Sequence, residues 1–352
     1  MVIEMNRRKT REIQVGNVTI GGDAPVAVQS MCNTDTRNAE ATLAQIEQLK
    51  KAGCKIVRVA VVDKDAAHAI GKIVEKTDIP IVADIHFDSR LAVEAAAAGA
   101  SKIRINPGNI GDDEKVRDVV NACRARNIPI RIGVNGGSLE REILEKYGVC
   151  ARGMVESAKG HVKLLNKFDF DDICISVKAS SAALTVDAYR MLSDELDYPL
   201  HLGVTEAGTV RIGRLKSAIG IGSLLLDGIG DTIRVSLTDD PVLEVETAYD
   251  ILHALGMSEN TPSLVSCPTC GRCMIDLIHI AKEVENRLSE IKKPIKVAVM
   301  GCVVNGPGEA READIGMAGG KEMGLLFRHG EIVKKVPMNE IVDELMKMAH
   351  EI

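Results

Sequence analysis

The feature that most constrains this chain is an alternation of short β-branched runs with amphipathic helical stretches, from about residue 25 to about residue 255. Runs that are apolar on both faces and alternate with helices are typical of a parallel sheet covered by helices. Eight such units fit in this span, and that number favours a closed (β/α)8 barrel. The predicted strands are Val26–Ser30, Ile56–Val61, Ile81–Ile85, Lys102–Ile105, Ile130–Val134, Ile173–Val177, Leu200–Val204 and Thr232–Val235.

The rival architecture is an open doubly wound sheet, which binds a dinucleotide at a glycine-rich turn. No predicted strand is followed by G-x-G-x-x-G, since the pairs Gly220/Gly222 and Gly228/Gly230 lack the third glycine. The P-loop sequence is also missing from the chain. The sequence therefore predicts an α/β fold with an N-terminal TIM-type barrel.

The pattern changes after a polar break at Gly256–Pro262. Beyond the break, we expect a strand, a cysteine cluster, a helix, a second strand, a glycine-rich loop, more short strands and a closing helix. The sequence predicts two domains, a barrel over residues 1–258 and a smaller α+β domain over residues 259–352.

The composition narrows the classes of function. A formal net charge of −6 and 2% aromatic residues argue against a nucleic-acid binder, which needs a basic face and stacking rings. No apolar run approaches the ~18 residues of a membrane helix, and the charged N-terminus does not resemble a signal peptide. We therefore expect a cytoplasmic protein. In such a chain, nine cysteines favour reduced thiols and metal binding over disulfides.

The C-terminal ends of the predicted strands carry many polar side chains, and in a parallel barrel these ends surround one mouth. Several cations from different strands would repel each other there unless an anion lies between them, and phosphoryl oxygens suit bidentate arginines. The acidic members, Asp84 and Glu206, are candidates either for acid–base chemistry or for orienting the arginines. The candidate residues are Arg58, Asp84, His86, Arg104, Arg131, Asn135, Lys178, His201, Glu206, Arg234 and Ser236.

A second candidate site lies in the C-terminal part of the chain. Cys267, Cys270 and Cys273 form a C-x2-C-x2-C run, and Cys302 follows a predicted strand within a glycine-rich loop. Four thiols allow either a zinc site or an iron–sulfur cluster, and the glycines leave room for N–H···S contacts. The other cysteines neighbour apolar residues and are predicted to be buried thiols, although Cys32 follows the first strand and could face the mouth.

The segments SCPTCGR (266–272) and GCVVNGPGEA (301–310) closely resemble the two signatures of the 4-hydroxy-3-methylbut-2-enyl diphosphate synthase family. These are iron–sulfur enzymes of the methylerythritol phosphate route to isoprenoids. The segments VADIHF, IRINPGN, RIGVNGGSL and HLGVTEAG extend the resemblance over the whole chain. The chain resembles the two-domain bacterial form.

The resemblance implies a [4Fe-4S] cluster held by Cys267, Cys270, Cys302 and Glu309, with Cys273 outside the motif. It also implies 2-C-methyl-D-erythritol 2,4-cyclodiphosphate as the substrate. A one-electron donor, flavodoxin or ferredoxin, would supply electrons. A head-to-tail homodimer would place each cluster domain against the partner's barrel.

By motif position, one group of residues resembles the family's substrate contacts: Arg58, Arg104, Arg131, Asn135, Lys178 and Ser236. Other residues lie in matching motifs and are also expected to contribute to substrate binding: Asp84, His86, His201 and Arg234. The resemblance implies that Glu206 is the acid–base residue near the leaving hydroxyl. It places Asn305 on the cluster side of the reaction.

Two other classes of function are weighed against this one. A barrel transferase for a phosphate-bearing or pterin substrate, with a structural zinc in the C-terminal domain, also accommodates the cations and the cysteines. A non-catalytic electron-transfer module leaves the cationic barrel unexplained.

Overall fold

The computed structural model describes residues 7–258, 261–303 and 311–352. The chain divides into two compact units, Met1–Leu252 and His253–Ile352. The boundary predicted between residues 258 and 259 lies in the stretch that joins the last helix of the first unit to the first strand of the second. Among the described residues, no helix is long and apolar enough to cross a membrane.

In its described residues, the first unit contains eight parallel strands, β3 to β10, and a two-stranded hairpin, β1–β2. The order in the large sheet is β8-β7-β6-β5-β4-β3-β10-β9. A parallel bridge between Ile175 and Leu200 brings β8 beside the start of β9, so the two ends of the sheet meet. The predicted TIM-type barrel is therefore confirmed. The ten strands are β1 Ile13–Val15, β2 Val18–Ile20, β3 Ala27–Met31, β4 Ile56–Ala60, β5 Ile81–Asp84, β6 Lys102–Ile105, β7 Ile130–Asn135, β8 Ile173–Lys178, β9 His201–Leu202 and β10 Thr232–Ile233.

Helices connect the strands of the barrel. Several begin at a side chain that accepts a backbone N–H of the first turn, as Asp63 does from Ala66 at 2.9 Å and Asp112 from Lys115 at 3.1 Å. Such caps satisfy N–H groups that have no partner within the helix. The helices are α1 Ala39–Lys51, α2 Lys64–Val74, α3 Ser89–Ala97, α4 Pro107–Ile110, α5 Asp113–Arg126, α6 Arg141–Tyr147, α7 Ala151–Asn166, α8 Ala182–Glu195, α9 Val210–Leu226 and α10 Pro241–Ala254.

The hairpin β1–β2 is a feature that the sequence patterns do not predict. Its apolar side chains, Ile13, Val15 and Ile20, are buried with residues from the first halves of the barrel strands, among them Ile56 and Val82. The hairpin therefore closes the end of the barrel opposite to the C-terminal ends of the strands. Ligands are left with access through one mouth.

In its described residues, 261–303 and 311–352, the second unit has a five-stranded mixed sheet and two helices. Strands β11, β12 and β13 are parallel, and β14 and β15 are antiparallel to their neighbours. The buried helix residues Val284 and Leu345 pack with the strand residues Val297 and Met317, and this core confirms the predicted α+β domain. The elements are β11 Ser263–Ser266, α11 Leu277–Leu288, β12 Lys296–Met300, β13 Ile315–Ala318, β14 Met323–Arg328, β15 Glu331–Pro337 and α12 Ile341–Glu351.

Candidate active site

The register of the barrel brings charged side chains from neighbouring strands into one row. Arg104 on β6 is the partner of Asp84 on β5 and of Arg131 on β7. Because side chains of paired residues project to the same face of a sheet, these three groups lie side by side inside the barrel. On β8, Lys178 pairs with Asn135 of β7, four residues beyond Arg131 and so nearer to the mouth.

Five of the predicted cations form what we call the cation cluster: Arg58, Arg104, Arg131, Lys178 and Arg234. Burial lowers the pKa of Arg131 to about 9, and repulsion from Arg58 and Arg104 adds to that effect. Burial also lowers the pKa of Lys178 well below its ordinary value, with Arg131 and Arg234 contributing. Groups that depress one another's pKa in this way are close together, as an anion site at the mouth requires.

Asp84 is one of two buried carboxylates that face the cluster. Its Oδ1 lies 3.2 Å from Arg104 Nη1, and its Oδ2 lies 3.7 Å from Arg58 Nε and 3.3 Å from His86 Nε2. Burial raises the pKa of Asp84, but Arg58, His86 and Arg104 outweigh burial and hold it well below its usual range. Asp84 is thus ionised at neutral pH and orients the cations; it carries no proton to donate.

Glu244, on α10, is the second carboxylate, and the sequence patterns do not single it out. It is 5% exposed, and its Oε2 lies 3.5 Å from Arg234 Nε. Five cations and two carboxylates leave the described part of the mouth with a surplus of positive charge.

Two glycines make room for the cations. A Cβ on Gly133 would lie 2.4 Å from Arg104 Nε, and a Cβ on Gly203 would lie 2.8 Å from Lys178 Nζ. Real Cβ atoms do not approach other atoms so closely, so any larger residue would displace these side chains. The two positions explain why a glycine interrupts the β-branched runs of β7 and of the segment after β9.

Glu206 and Asn135 line a cavity of about 450 Å³ beside the cluster. Glu206 is exposed and has φ +50°, a left-handed conformation that costs a non-glycine residue about 1–2 kcal/mol. Such strain persists where the surrounding structure enforces it, and it is common at functional sites. Since Asn135 pairs with Lys178, the cavity adjoins the cation cluster.

The remaining predicted residues of the barrel occupy different depths. His201 is fully buried, and its Nδ1 lies 2.7 Å from Thr232 Oγ1. Burial and the nearby Lys178 and Arg131 lower the pKa of His201 well below its ordinary value, so its ring is neutral. Ser236 is half-buried and follows Arg234 by two residues, while His86 is exposed above Asp84.

Lys102 is a buried cation that the sequence interpretation missed. It is fully buried two residues before Arg104 on β6, and its Nζ has no hydrogen-bond partner within the described ranges. Burial lowers the pKa of Lys102 to about 8, and Arg131 and Arg58 contribute. The signal was available, because the two-residue period of a strand places Lys102 on the same inward face as Arg104.

Cysteines of the second unit lie where two neighbouring parallel strands end. Cys267 follows β11, and Cys302 lies two residues after β12. The Gly301 N–H donates to Cys267 Sγ at 3.2 Å, and the Met274 N–H donates to the Gly301 carbonyl at 3.1 Å. The loop that carries Cys270 and Cys273 is thereby held against the Gly301–Cys302 segment.

The chemistry of these groups fits an iron–sulfur site. A thiolate that accepts a backbone N–H is a typical cluster ligand, and Cys270 is exposed, with its pKa lowered mainly by a hydrogen bond from the backbone of Arg272. In the described portion of the chain, no three His, Cys, Asp or Glu side chains are arranged to hold a metal ion. Glu309 and Asn305 lie outside the described residues, so the predicted ligand set remains a prediction.

Comparison with known proteins covers nearly the whole chain. Residues 10–249 match the family model described as GcpE TIM-barrel domain, and residues 263–351 match the GcpE protein C-terminal domain. A protein of Clostridium perfringens named 4-hydroxy-3-methylbut-2-en-1-yl diphosphate synthase (flavodoxin) is 61% identical over 98% of this chain and 99% of its own length. A protein of Geobacter sulfurreducens with the same name is 60% identical over 97% of each.

Solved structures with similar folds match the barrel at low sequence identity. Dihydropteroate synthase from Stenotrophomonas maltophilia has a TM-score of 0.52 at 14% identity, covering 70% of this chain and 97% of its own. Type I 3-dehydroquinate dehydratase from Clostridium difficile has a TM-score of 0.53 at 15% identity, covering 70% and 98%. At such identities the likeness concerns the fold alone.

Proposed function

This chain belongs to the GcpE family, and we propose that it performs the reaction for which its relatives are named, in isoprenoid precursor biosynthesis. The substrate is 2-C-methyl-D-erythritol 2,4-cyclodiphosphate. Two electrons and two protons open the cyclic diphosphate and remove one hydroxyl. The products are (E)-4-hydroxy-3-methylbut-2-enyl diphosphate and one water.

The observation that carries this proposal is the surplus of buried positive charge at the barrel mouth. Arg131 and Lys178 are almost fully buried, and burial lowers their pKa values, with repulsion from their cationic neighbours adding to the effect. Buried cations without counter-charges are costly, and a bound diphosphate removes that cost through charge-assisted hydrogen bonds. A diphosphate is therefore the class of ligand that best suits this mouth.

Different residues bind the substrate and deliver the proton to its leaving hydroxyl group. We assign the diphosphate to the cation cluster, with Asn135 and Ser236 as polar contacts and His201 as a neutral donor inside the barrel. Asp84 holds Arg58 and Arg104 in place, and His86 contacts Asp84. Glu206, exposed in the adjoining cavity, delivers the proton with which the hydroxyl leaves as water, because a carboxylic acid in reach of a leaving group acts as a general acid.

We further propose that the second unit holds a [4Fe-4S] cluster through Cys267, Cys270, Cys302 and Glu309, with Asn305 nearby. When bound, the cluster supplies the electrons one at a time. Flavodoxin, which the names of the relatives specify, or ferredoxin delivers those electrons to the enzyme. A head-to-tail homodimer would bring each cluster to the barrel of the partner.

An anaerobic assay tests the proposal. Protein purified without oxygen should be brown, contain about four irons per chain and convert the cyclodiphosphate when a reductant is added. Colourless protein with one zinc per chain would contradict the proposal and favour a barrel transferase with a structural zinc. Brown protein that leaves the cyclodiphosphate unchanged would also contradict it and indicate an electron carrier.

A further inference from the structure

Glu244 is a buried carboxylate with three partners on two separate segments of the barrel, Ser30 on β3 and both Arg234 and Leu237 in the stretch after β10. The Leu237 N–H donates to Glu244 Oε1 at 3.0 Å, and Ser30 Oγ donates to Glu244 Oε2 at 3.0 Å. Arg234 Nε lies 3.5 Å from the same Oε2. With two hydrogen bonds fixing it, the carboxylate has one orientation available, and that orientation presents a negative charge to Arg234.

Arg234 faces this carboxylate through Nε, at ion-pair distance but without a hydrogen bond between the two groups. No hydrogen bond joins its two terminal nitrogens to the protein within residues 7–258. The guanidinium has five N–H donors in a rigid fork, so a counter-charge on the Nε side leaves the terminal nitrogens for two oxygens of a phosphate. The ion pair with Glu244 thus favours the orientation of Arg234 that suits an incoming anion.

The same carboxylate also connects the strand end to the loop that carries Glu206. The Leu237 N–H is bound to Glu244, and the N–H of the next residue, Thr238, donates to the Gly208 carbonyl at 3.0 Å. Gly208 has φ +103° and Glu206 has φ +50°, so this loop is built from unusual backbone conformations. Its position depends on the segment that Glu244 holds.

We propose that Glu244 is a positioning residue, which orients Arg234 toward the diphosphate and sets the place of the Glu206 loop through Leu237 and Thr238. This inference rests on the proposed function. It makes a prediction opposite in sign to that of simple electrostatics. Removing a negative charge near the cluster should tighten anion binding if Glu244 acts by its charge alone, and weaken it if Glu244 acts by orienting Arg234.

The test is a double-mutant cycle with Glu244→Gln and Arg234→Met, in which inorganic pyrophosphate binding to the anaerobic holoenzyme is measured by calorimetry. We expect E244Q to weaken pyrophosphate binding about tenfold, and to have almost no effect in the R234M background, because contacting residues are not additive. In turnover assays, E244Q should raise KM through Arg234 and lower kcat through the Glu206 loop. Tighter binding, or equal losses in both backgrounds, would overturn the inference.

Asp231→Asn is the matched control. Asp231 is also buried and paired with an arginine, Arg7 at 3.2 Å, and it accepts the Leu200 N–H at 2.7 Å, at the opposite end of the strands. D231N should lower the melting temperature and leave pyrophosphate affinity unchanged within about twofold. If D231N weakens binding as much as E244Q, Glu244 acts only through stability, and the inference is wrong.

Two further outcomes separate this inference from the proposed function. If wild-type protein does not bind pyrophosphate, the diphosphate site itself is refuted. If wild-type and E244Q bind it equally, only the role of Glu244 is refuted. If E244Q fails to fold, Ser30→Ala provides the test, because it removes one hydrogen bond to Glu244. S30A should weaken pyrophosphate binding by a smaller factor than E244Q, and unchanged binding in S30A would overturn the inference.

Discussion

Arg104 and Asp84, paired across β6 and β5, form a buried ion pair at 3.2 Å, and Asp84 serves Arg58 at the same time. One carboxylate therefore holds two of the five cations that we assign to the diphosphate. The negative charge of Asp84 is needed when no substrate is bound, because without this charge Arg58 and Arg104 would repel each other at short range.

Asp84→Asn should lower the free energy of unfolding by about 3 kcal/mol, because removing one partner of a buried pair leaves the other charges uncompensated. The pKa of Asp84 is depressed in the folded state, so its stabilising effect is present above the unfolded value of about 4 and is lost as pH falls below it. Urea unfolding from pH 7 to pH 3 should show a steeper loss for wild type than for D84N. Parallel curves would contradict this account.

Lys102→Met should stabilise the protein at pH 7, because it replaces a buried cation with no hydrogen-bond partner in the described part of the barrel by an apolar side chain of similar length. The folded pKa of about 8, against about 10.4 in the unfolded chain, corresponds to a gain of roughly 3 kcal/mol. The gain is full below pH 8 and disappears as pH rises toward 10.4. The exposed Lys76→Met is the control, and equal melting temperatures of K102M and wild type at pH 7 would refute the prediction.

Two substitutions of Glu206 separate the strain in its backbone from its role in the reaction. Glu206→Gln keeps the left-handed backbone at φ +50° and should reduce kcat by on the order of a hundredfold or more, because a general acid is removed. Glu206→Gly should lose the same activity but raise the free energy of unfolding by up to about 1 kcal/mol, since glycine adopts this conformation without strain. Unchanged turnover in E206Q would remove Glu206 from the reaction.

Cys270 and Cys273 are expected to differ although they are three residues apart. Cys270→Ser should lose iron, visible absorbance and activity. Cys273→Ser should keep all three, because Cys273 Sγ donates to the Ile275 carbonyl at 3.3 Å and a serine hydroxyl can replace that bond. Iron analysis and absorbance near 400 nm of both variants, prepared anaerobically, provide the comparison. Equal loss of iron in the two variants would overturn the assignment of ligands.

Much of the barrel was predictable because its signals are local. The β-branched runs mark strands, and parallel strands carry their C-terminal residues to one mouth, so the grouping of Arg58, Arg104 and Arg131 follows from their positions in those runs. Lys102 was equally accessible from its two-residue spacing to Arg104. The ligand roles of Cys267, Cys302 and Glu309 came from resemblance to a family, and they remain predictions.

The sequence by itself determined the alternation of strands and helices, the change of architecture near residue 256, and the set of cations at the strand ends. Each of these features follows from the hydrophobic periodicity and the composition of short segments. Only the tertiary structure decided which charges meet. The pairing of Glu244 with Arg234, the use of one Asp84 by two arginines, and the closure of the barrel by the β1–β2 hairpin depend on how distant elements pack. Residues far apart in the chain approach one another only when the register of the sheet and the rotation of each helix are set together.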